Sequence, residues 1–129
     1  MAKVHSTILL VDDDKFLLDM YALKFTQAGF DVHSQVSVSD ALTLLRDGLQ
    51  PETILFDLIM PGGDGFSFLA ALQKEDLAKD ARKIALTNEM DAEERKRAMD
   101  LGADEYFVKA TMIPSEVVDR VSSMLAAHT

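Results

Sequence analysis

The sequence predicts a doubly wound α/β domain: a five-stranded, mostly parallel sheet covered by helices on both faces. Two observations predict it. Five short strand-like runs alternate with five amphipathic stretches along the 129 residues, and four of those runs end abruptly in a residue that is ionisable or bears a hydroxyl. Alternation of this kind implies right-handed strand–helix–strand crossovers, which make neighbouring strands parallel.

Thr7-Ile8-Leu9-Leu10-Val11 is the first strand, long enough to be buried on both faces, too short for a helix, and cut off by three aspartates. From Lys15 to Ala28 the apolar residues Phe16, Leu17, Met20, Leu23 and Phe25 fall mostly at steps of three and four, the period of a helix face, and Gly29 supplies the stop. Asp31 to Val36 reads as the second strand, and Ser37 to Leu45 as a helix that ends at Arg46-Asp47-Gly48. Thr53-Ile54-Leu55-Phe56 is the third strand, ending at Asp57. Pro61-Gly62-Gly63-Asp64-Gly65 then forms a loop before a helix from Phe66 to about Lys74. Lys83 to Thr87 is the fourth strand. Asp91, with Glu94 three residues on, makes a capping-box-like start for a helix that runs to Leu101 and is terminated by Gly102. Tyr106-Phe107-Val108-Lys109 is the fifth strand, and Pro114 opens a last helix whose apolar face is Val117, Val118, Val121, Met124 and Leu125. The charged stretch from Leu77 to Arg82 carries no signal that bounds it.

Composition narrows the function. With 48% hydrophobic residues, one core can be filled at this length, and the periodic segments occupy residues 1–129 as a single domain, so any output must pass through a partner. The formal charge is −9, from 22 acidic against 13 basic residues, with no Lys/Arg-rich run to lie along a phosphate backbone or an anionic membrane. Direct nucleic-acid binding is not expected. No apolar stretch approaches the roughly 18 residues that span a bilayer, and the start, Met1 to His5, lacks the apolar core of a secretory signal. The expectation is a cytoplasmic chain without membrane insertion. Zero cysteines fit a reducing compartment and exclude disulfides and thiolate metal sites.

Doubly wound sheets bind ligands at the carboxyl ends of their strands, so the residues that end each run are the first candidates for chemistry. The first run ends in Asp12 and Asp13, the third in Asp57, the fourth in Thr87 and the fifth in Lys109; the second ends in Val36-Ser37 and offers no charge. Two carboxylates about 4 Å apart repel by on the order of 4 kcal/mol at an effective dielectric of about 20, so three at one edge call for a cation. All-oxygen donors without His or Cys suit a hard ion such as Mg²⁺. Lys109 adds a compact ammonium that can pair with Asp57 or with phosphate oxygens. An aspartate so placed can attack phosphorus and form an acyl phosphate, provided that metal, Lys109 and the Thr87 hydroxyl neutralise the equatorial oxygens.

These residues show a closer likeness. In Ile8 to Asp14, Leu55 to Gly65, Ala85-Leu86-Thr87, Gly102-Ala103-Asp104 and Tyr106 to Lys109, the chain resembles the receiver domain of bacterial two-component response regulators, especially the stand-alone kind. The match runs over nearly the whole sequence. The resemblance implies a flavodoxin-like strand order 2-1-3-4-5. It implies Asp57 as phosphoacceptor, charged from a phosphohistidine on a histidine kinase or phosphotransfer protein, and a chain that assists its own phosphorylation and dephosphorylation without turning over a free substrate. Mg²⁺ or Mn²⁺ would be bound directly by Asp13 and Asp57, through water by Asp12, and by the backbone carbonyl of Ile59. Thr87 would bond a phosphoryl oxygen, Lys109 would pair with another, and Tyr106 would be the switch aromatic that turns inward as Thr87 moves. Ile59 and Glu89 occupy positions that tune dephosphorylation. The face of the fourth helix, fifth strand and last helix would read out the state to a downstream partner, and the first helix, with Phe16 and Met20, would dock the kinase. Two departures stand out: Ala110 follows Lys109 where the family usually has proline, and Asn88 sits where it favours a very small side chain.

Simpler readings compete at several positions. Asp14 and Asp64 read as helix-start or turn residues, Tyr106 has packing at a sheet edge as its alternative role, and the helical methionines and phenylalanines read as core. His5, His33 and His128 have no spacing or acidic neighbours that suggest a site. Two rival functions are a degenerate receiver used only for binding, which would lack an acidic or lysine member, and an Asp-nucleophile phosphatase. The latter needs a second acid two residues after the nucleophile, where Ile59 stands.

Overall fold

The computed structural model describes residues 6–60 and 64–126. His5, His128 and the loop residues Pro61, Gly62 and Gly63 lie outside them. In chain order the elements are β1 (Thr7–Val11), α1 (Lys15–Gln27), β2 (Asp31–Gln35), α2 (Val38–Arg46), β3 (Thr53–Asp57), α3 (Gly65–Lys74), β4 (Arg82–Thr87), α4 (Ala92–Asp100), β5 (Glu105–Val108) and α5 (Pro114–Ala126). The sheet is parallel throughout, in the order β2-β1-β3-β4-β5. Strand order reverses between β1 and β3, which opens the crevice where doubly wound folds bind ligands.

The strand pleat sorts the core into two layers. Ile8, Leu10, Leu55, Ile84, Leu86 and Phe107 face α1 and α5, where Leu18, Tyr21, Phe25, Val117 and Val121 meet them. Leu9, Val11, Ile54, Phe56 and Ala85 face the other way, onto Leu42 and Leu45 of α2, Phe68 and Leu72 of α3, and Ala98 of α4. Each of the Leu, Ile, Val and Phe side chains among them, fully buried, is worth about 1.5–3 kcal/mol, so the central strands anchor the sheet edge. Helix α4 is the exception: only Ala98 is fully buried. Its further anchor is Arg97, whose guanidinium lies 4.1 Å from the ring centroid of Phe66 in α3.

Three expectations need correction. The apolar face assigned to the first helix holds only in part: Phe25 is buried and Leu17 packs against the core, but α1 completes its inward stripe with Leu18 and Tyr21, while Phe16, Met20 and Leu23 face solvent, Phe16 at 76% exposure. The helix is apolar on more than one side, so spacing alone could not choose the inward stripe. Lys109 does not extend β5 but opens a single 3₁₀ turn, Lys109–Thr111, and its peptide bond to Ala110 is trans, as are all peptide bonds among the described residues. His33 does have an acidic neighbour: Asp31, two residues before it on β2, brings Oδ2 to 3.4 Å from its Nε2. The stretch whose sequence carries no bounding signal falls in the connection between α3 and β4, residues 75–81, in which Asp76 and Ala78 take left-handed backbone angles (φ 56° and 51°) and Ala81 is buried; Arg82 already belongs to β4.

Candidate phosphoryl site at the sheet edge

The carboxyl ends of β1, β3 and β5 bring four charged groups together. Oxygen atoms of Asp12, Asp13 and Asp57 all lie within 4.8 Å of one another. The Lys109 ammonium stands 2.9 Å from Asp12 Oδ2 and 3.6 Å from Asp57 Oδ2. Asp12 and Asp57 are buried, while Asp13 is exposed on the rim. Both oxygens of Asp12 are used, since Oδ1 accepts the Asp14 N–H at 2.9 Å. Asp14 in turn caps α1 by accepting from the Leu17 N–H, and Asp64 caps α3 by accepting from Ser67, the helix-start roles expected of both.

Electrostatics at Asp57 reflect this crowding. Burial is the largest influence on its carboxyl, pushing the pKa up to about 6; Lys109 opposes the rise, Asp12 adds to it, the Ile59 backbone N–H opposes it, and Asp13 adds to it. Beneath the cluster, the phenol of Tyr21 is pushed up to about 12 by burial, with the charges of Asp12 and Asp57 adding. One ammonium against three carboxylates leaves a negative excess, and the donors are all hard oxygens at short mutual range. That donor set fits a divalent cation of the Mg²⁺ or Mn²⁺ type.

Close backbone contacts fix the end of β3 that carries Asp57. The Leu58 N–H donates to the Leu86 carbonyl and the Gly65 N–H to the Leu58 carbonyl, binding the end of β3 to both β4 and α3. A Cβ on Gly65 would lie 2.8 Å from the Asp57 carbonyl oxygen and 2.9 Å from the Leu58 Cα, so glycine is required there. Asp57 opens into a cavity of about 340 Å³ shared with Ile59, Thr87, Asn88, Glu89, Met90, Asp91 and Glu94. Ile59, Asn88, Glu89 and Met90 are exposed at its mouth.

Thr87 lines this cavity with Asp57, but its hydroxyl points to the β4–α4 connection, donating to the Glu89 carbonyl at 3.3 Å with Glu94 Oε1 3.5 Å away. Tyr106 packs at the edge of the core, and its hydroxyl accepts from the Asp91 N–H at 3.3 Å. The structure thus brings Asp12, Asp13, Asp57 and Lys109 into one cluster, with Thr87, Ile59 and Glu89 at one cavity and Tyr106 one loop away. Glu94 was read from the sequence only as part of a helix cap. Its place in the cavity follows from the first turn of α4 facing the end of β4, a proximity that no local pattern reports.

A family model for the response regulator receiver domain matches residues 8–122. The chain belongs to that family. Among curated proteins, this receiver is 30% identical over 118 residues to the phosphate regulon transcriptional regulatory protein PhoB of Escherichia coli, covering 92% of this chain and 51% of PhoB. It is 32% identical over 125 residues to the DNA-binding response regulator MtrA of Mycolicibacterium smegmatis, covering 97% and 53%. The receiver therefore spans about half the length of the curated relatives it matches. Among solved structures it is similar to the BeF3-activated DrrB receiver domain, with TM-score 0.81 at 25% identity over 95% of this chain and 99% of that one. It is also similar to the receiver domain of the Francisella response regulator 1452, with TM-score 0.83 at 26% identity over 97% and 100%. A CheY-like receiver protein of Methanospirillum hungatei shares the fold, at TM-score 0.85 and 23% identity over 96% of each chain. No helix among the described residues of this receiver is long and apolar enough to cross a membrane.

Proposed function

We propose that residues 1–129 form one receiver unit that takes a phosphoryl group onto Asp57 from a phosphohistidine of a histidine kinase or phosphotransfer protein. The observation that carries this reading is the cluster at the sheet edge: three carboxylates within 4.8 Å of one another and an ammonium at 2.9 and 3.6 Å from two of them. Asp12, Asp13, Asp57 and the backbone carbonyl of Ile59 would hold Mg²⁺ or Mn²⁺. When bound, that cation supplies positive charge against the equatorial oxygens of the transferring group.

The chain's own residues do the rest. An Asp57 oxygen attacks phosphorus, the phosphorus–nitrogen bond to the donor imidazole breaks, and the imidazole departs with the electron pair and takes up a proton. Lys109, held between Asp12 and Asp57, is placed to follow the charge onto a phosphoryl oxygen. Thr87 must turn from the Glu89 carbonyl to donate to a second one. That rotation vacates space beside β4 and is the event Tyr106 would register, presenting the face of α4, β5 and α5 to a downstream protein. Ile59 and Glu89, at the cavity mouth, would set how readily water reaches the acyl phosphate.

Incubation of the chain with Mg²⁺ and acetyl phosphate should add the mass of one phosphoryl group in a hydroxylamine-labile form. Asp57→Asn should abolish the adduct. An unmodified mass under conditions that label another receiver, or full labelling of the Asn variant, would overturn the assignment. Sustained release of phosphate from many substrates would favour a phosphatase instead.

A further inference from the structure

The sequence Asp91-Ala92-Glu93-Glu94 has the pattern of a capping box, in which the acidic side chain three residues past the cap reaches back to the cap's own N–H. Only half of the box forms. Asp91 accepts from the N–H groups of Glu93 and Glu94 at 3.0 and 3.1 Å. The return arm is missing because the Asp91 N–H is taken by the Tyr106 hydroxyl at 3.3 Å, whose oxygen also lies 3.4 Å from the Asp91 carbonyl. Glu94, displaced from that partner, brings Oε1 to 3.5 Å from the Thr87 hydroxyl and lines the cavity that holds Asp57.

Taking the phosphoacceptor reading of Asp57 as its basis, we propose that Glu94 is a positioning residue that couples Thr87 to Tyr106 by exchanging partners. Its carboxylate shares the Thr87 hydroxyl with the Glu89 carbonyl while Tyr106 occupies the Asp91 N–H, and completes the capping box when Tyr106 leaves. Each side of the exchange has a physical cause. A phosphoryl group brings about −1.5 to −2 charges into the cavity that Glu94 lines, repelling its carboxylate from Thr87. The Asp91 N–H, at the positive end of α4, is the natural donor to that displaced carboxylate. Once Glu94 takes it, the Tyr106 hydroxyl has lost its donor, and the Thr87 hydroxyl, left with the Glu89 carbonyl as its one acceptor among these groups, turns more readily toward the phosphoryl oxygen. The two switch residues thereby share one carboxylate.

The test uses the full chain, unphosphorylated for NMR and with Mg²⁺ and acetyl phosphate for labelling. Tyr106→Phe should let Glu94 close on the Asp91 amide and shift its resonance downfield, and the shift should vanish in the Tyr106→Phe, Glu94→Ala double variant. Glu94→Ala should label at Asp57 roughly fivefold faster than the parent chain, the effect of losing one modest hydrogen bond on the Thr87 hydroxyl. Glu94→Gln, whose amide oxygen still accepts from Thr87, should recover most of the parent rate and guards against a folding defect in the alanine variant. An Asp91 shift that persists without Glu94, or an alanine variant that labels within twofold of the parent, overturns the coupling. A parent chain that forms no adduct overturns the phosphoacceptor reading instead, and the amide shift then decides the coupling by itself.

Discussion

Lys109 sits between Asp12 and Asp57 with little exposure, so its ammonium is the internal counter-charge of the site. Removing one partner from a buried ion pair leaves the other uncompensated, which costs about 3–5 kcal/mol. Lys109→Met should therefore lower the urea-unfolding free energy by about 3 kcal/mol in chelator, and added Mg²⁺ should restore part of it. Equal stability with and without Mg²⁺ in this variant would show that the cation does not share the role of the ammonium. Asp13 contrasts with Asp12: it lies in the same carboxylate cluster but is exposed, so it contributes little to the fold. Asp13→Asn should leave the chelator-treated protein about as stable as the parent and weaken Mg²⁺ at least tenfold, since losing even an outer partner of a metal ligand costs about that much. Titration calorimetry would show this, and an unchanged affinity would remove Asp13 from the ligand set.

At the scale of elements, the critical junction is the end of β3 against the start of α3. Gly65 allows the helix to sit on the Asp57 carbonyl, where a methyl group has no space. Gly65→Ala should cost about 2–3 kcal/mol, as overpacking of a tight backbone contact does. It should also slow labelling by acetyl phosphate, because the strand end that aims Asp57 must shift. A variant with parental stability would mean that the junction relaxes freely. Helix α1 shows a limit of pattern reading at this scale. Its apolar residues exceed one face, so the inward stripe of Leu18, Tyr21 and Phe25 is selected by β1 and α5 rather than by spacing. Phe16, Met20 and Leu23 are left exposed on the helix surface, and the first two are the residues that the family resemblance assigns to docking a kinase. The connection between α3 and β4 is illegible in sequence for another reason: its left-handed residues are Asp76 and Ala78, without the glycine or proline that usually marks such a turn.

For the whole molecule, the acidic cluster should make stability depend on pH and, if it binds the proposed cation, on metal as well. The Asp57 carboxyl has a pKa of about 6 when folded, against about 4 in an unfolded chain. Between these values the folded state keeps a proton that the unfolded state has lost, so its stabilising contribution is complete below about pH 4 and is lost as pH rises through 6. A two-unit difference corresponds to about 3 kcal/mol. In chelator, Asp57→Asn should thus be more stable than the parent at pH 7.5, by an amount on the order of 3 kcal/mol, with the gap closing toward pH 4. Saturating Mg²⁺ should raise parental stability at pH 7.5 by about 2.7 kcal/mol at a hundred times its Kd, and by less at pH 5, where protons compete. Denaturant midpoints across that range would check both, and an Asn variant less stable than the parent at pH 7.5 would show that Asp57 is not strained by its surroundings.

The chain order of strands and helices, the caps at Asp14, Asp64 and Asp91, and the residues that end each strand were readable from local sequence, because hydrophobic period, capping chemistry and strand termination act over a few neighbouring positions. Those same rules named Asp12, Asp13, Asp57, Thr87 and Lys109 before any contact was known. Only tertiary structure decided the inward stripe of α1, the hold of the Tyr106 hydroxyl on Asp91 and the reach of Glu94 to Thr87. These depend on how β4, β5 and the helices pack across long separations in sequence, where several partners compete for one donor and local chemistry favours none of them.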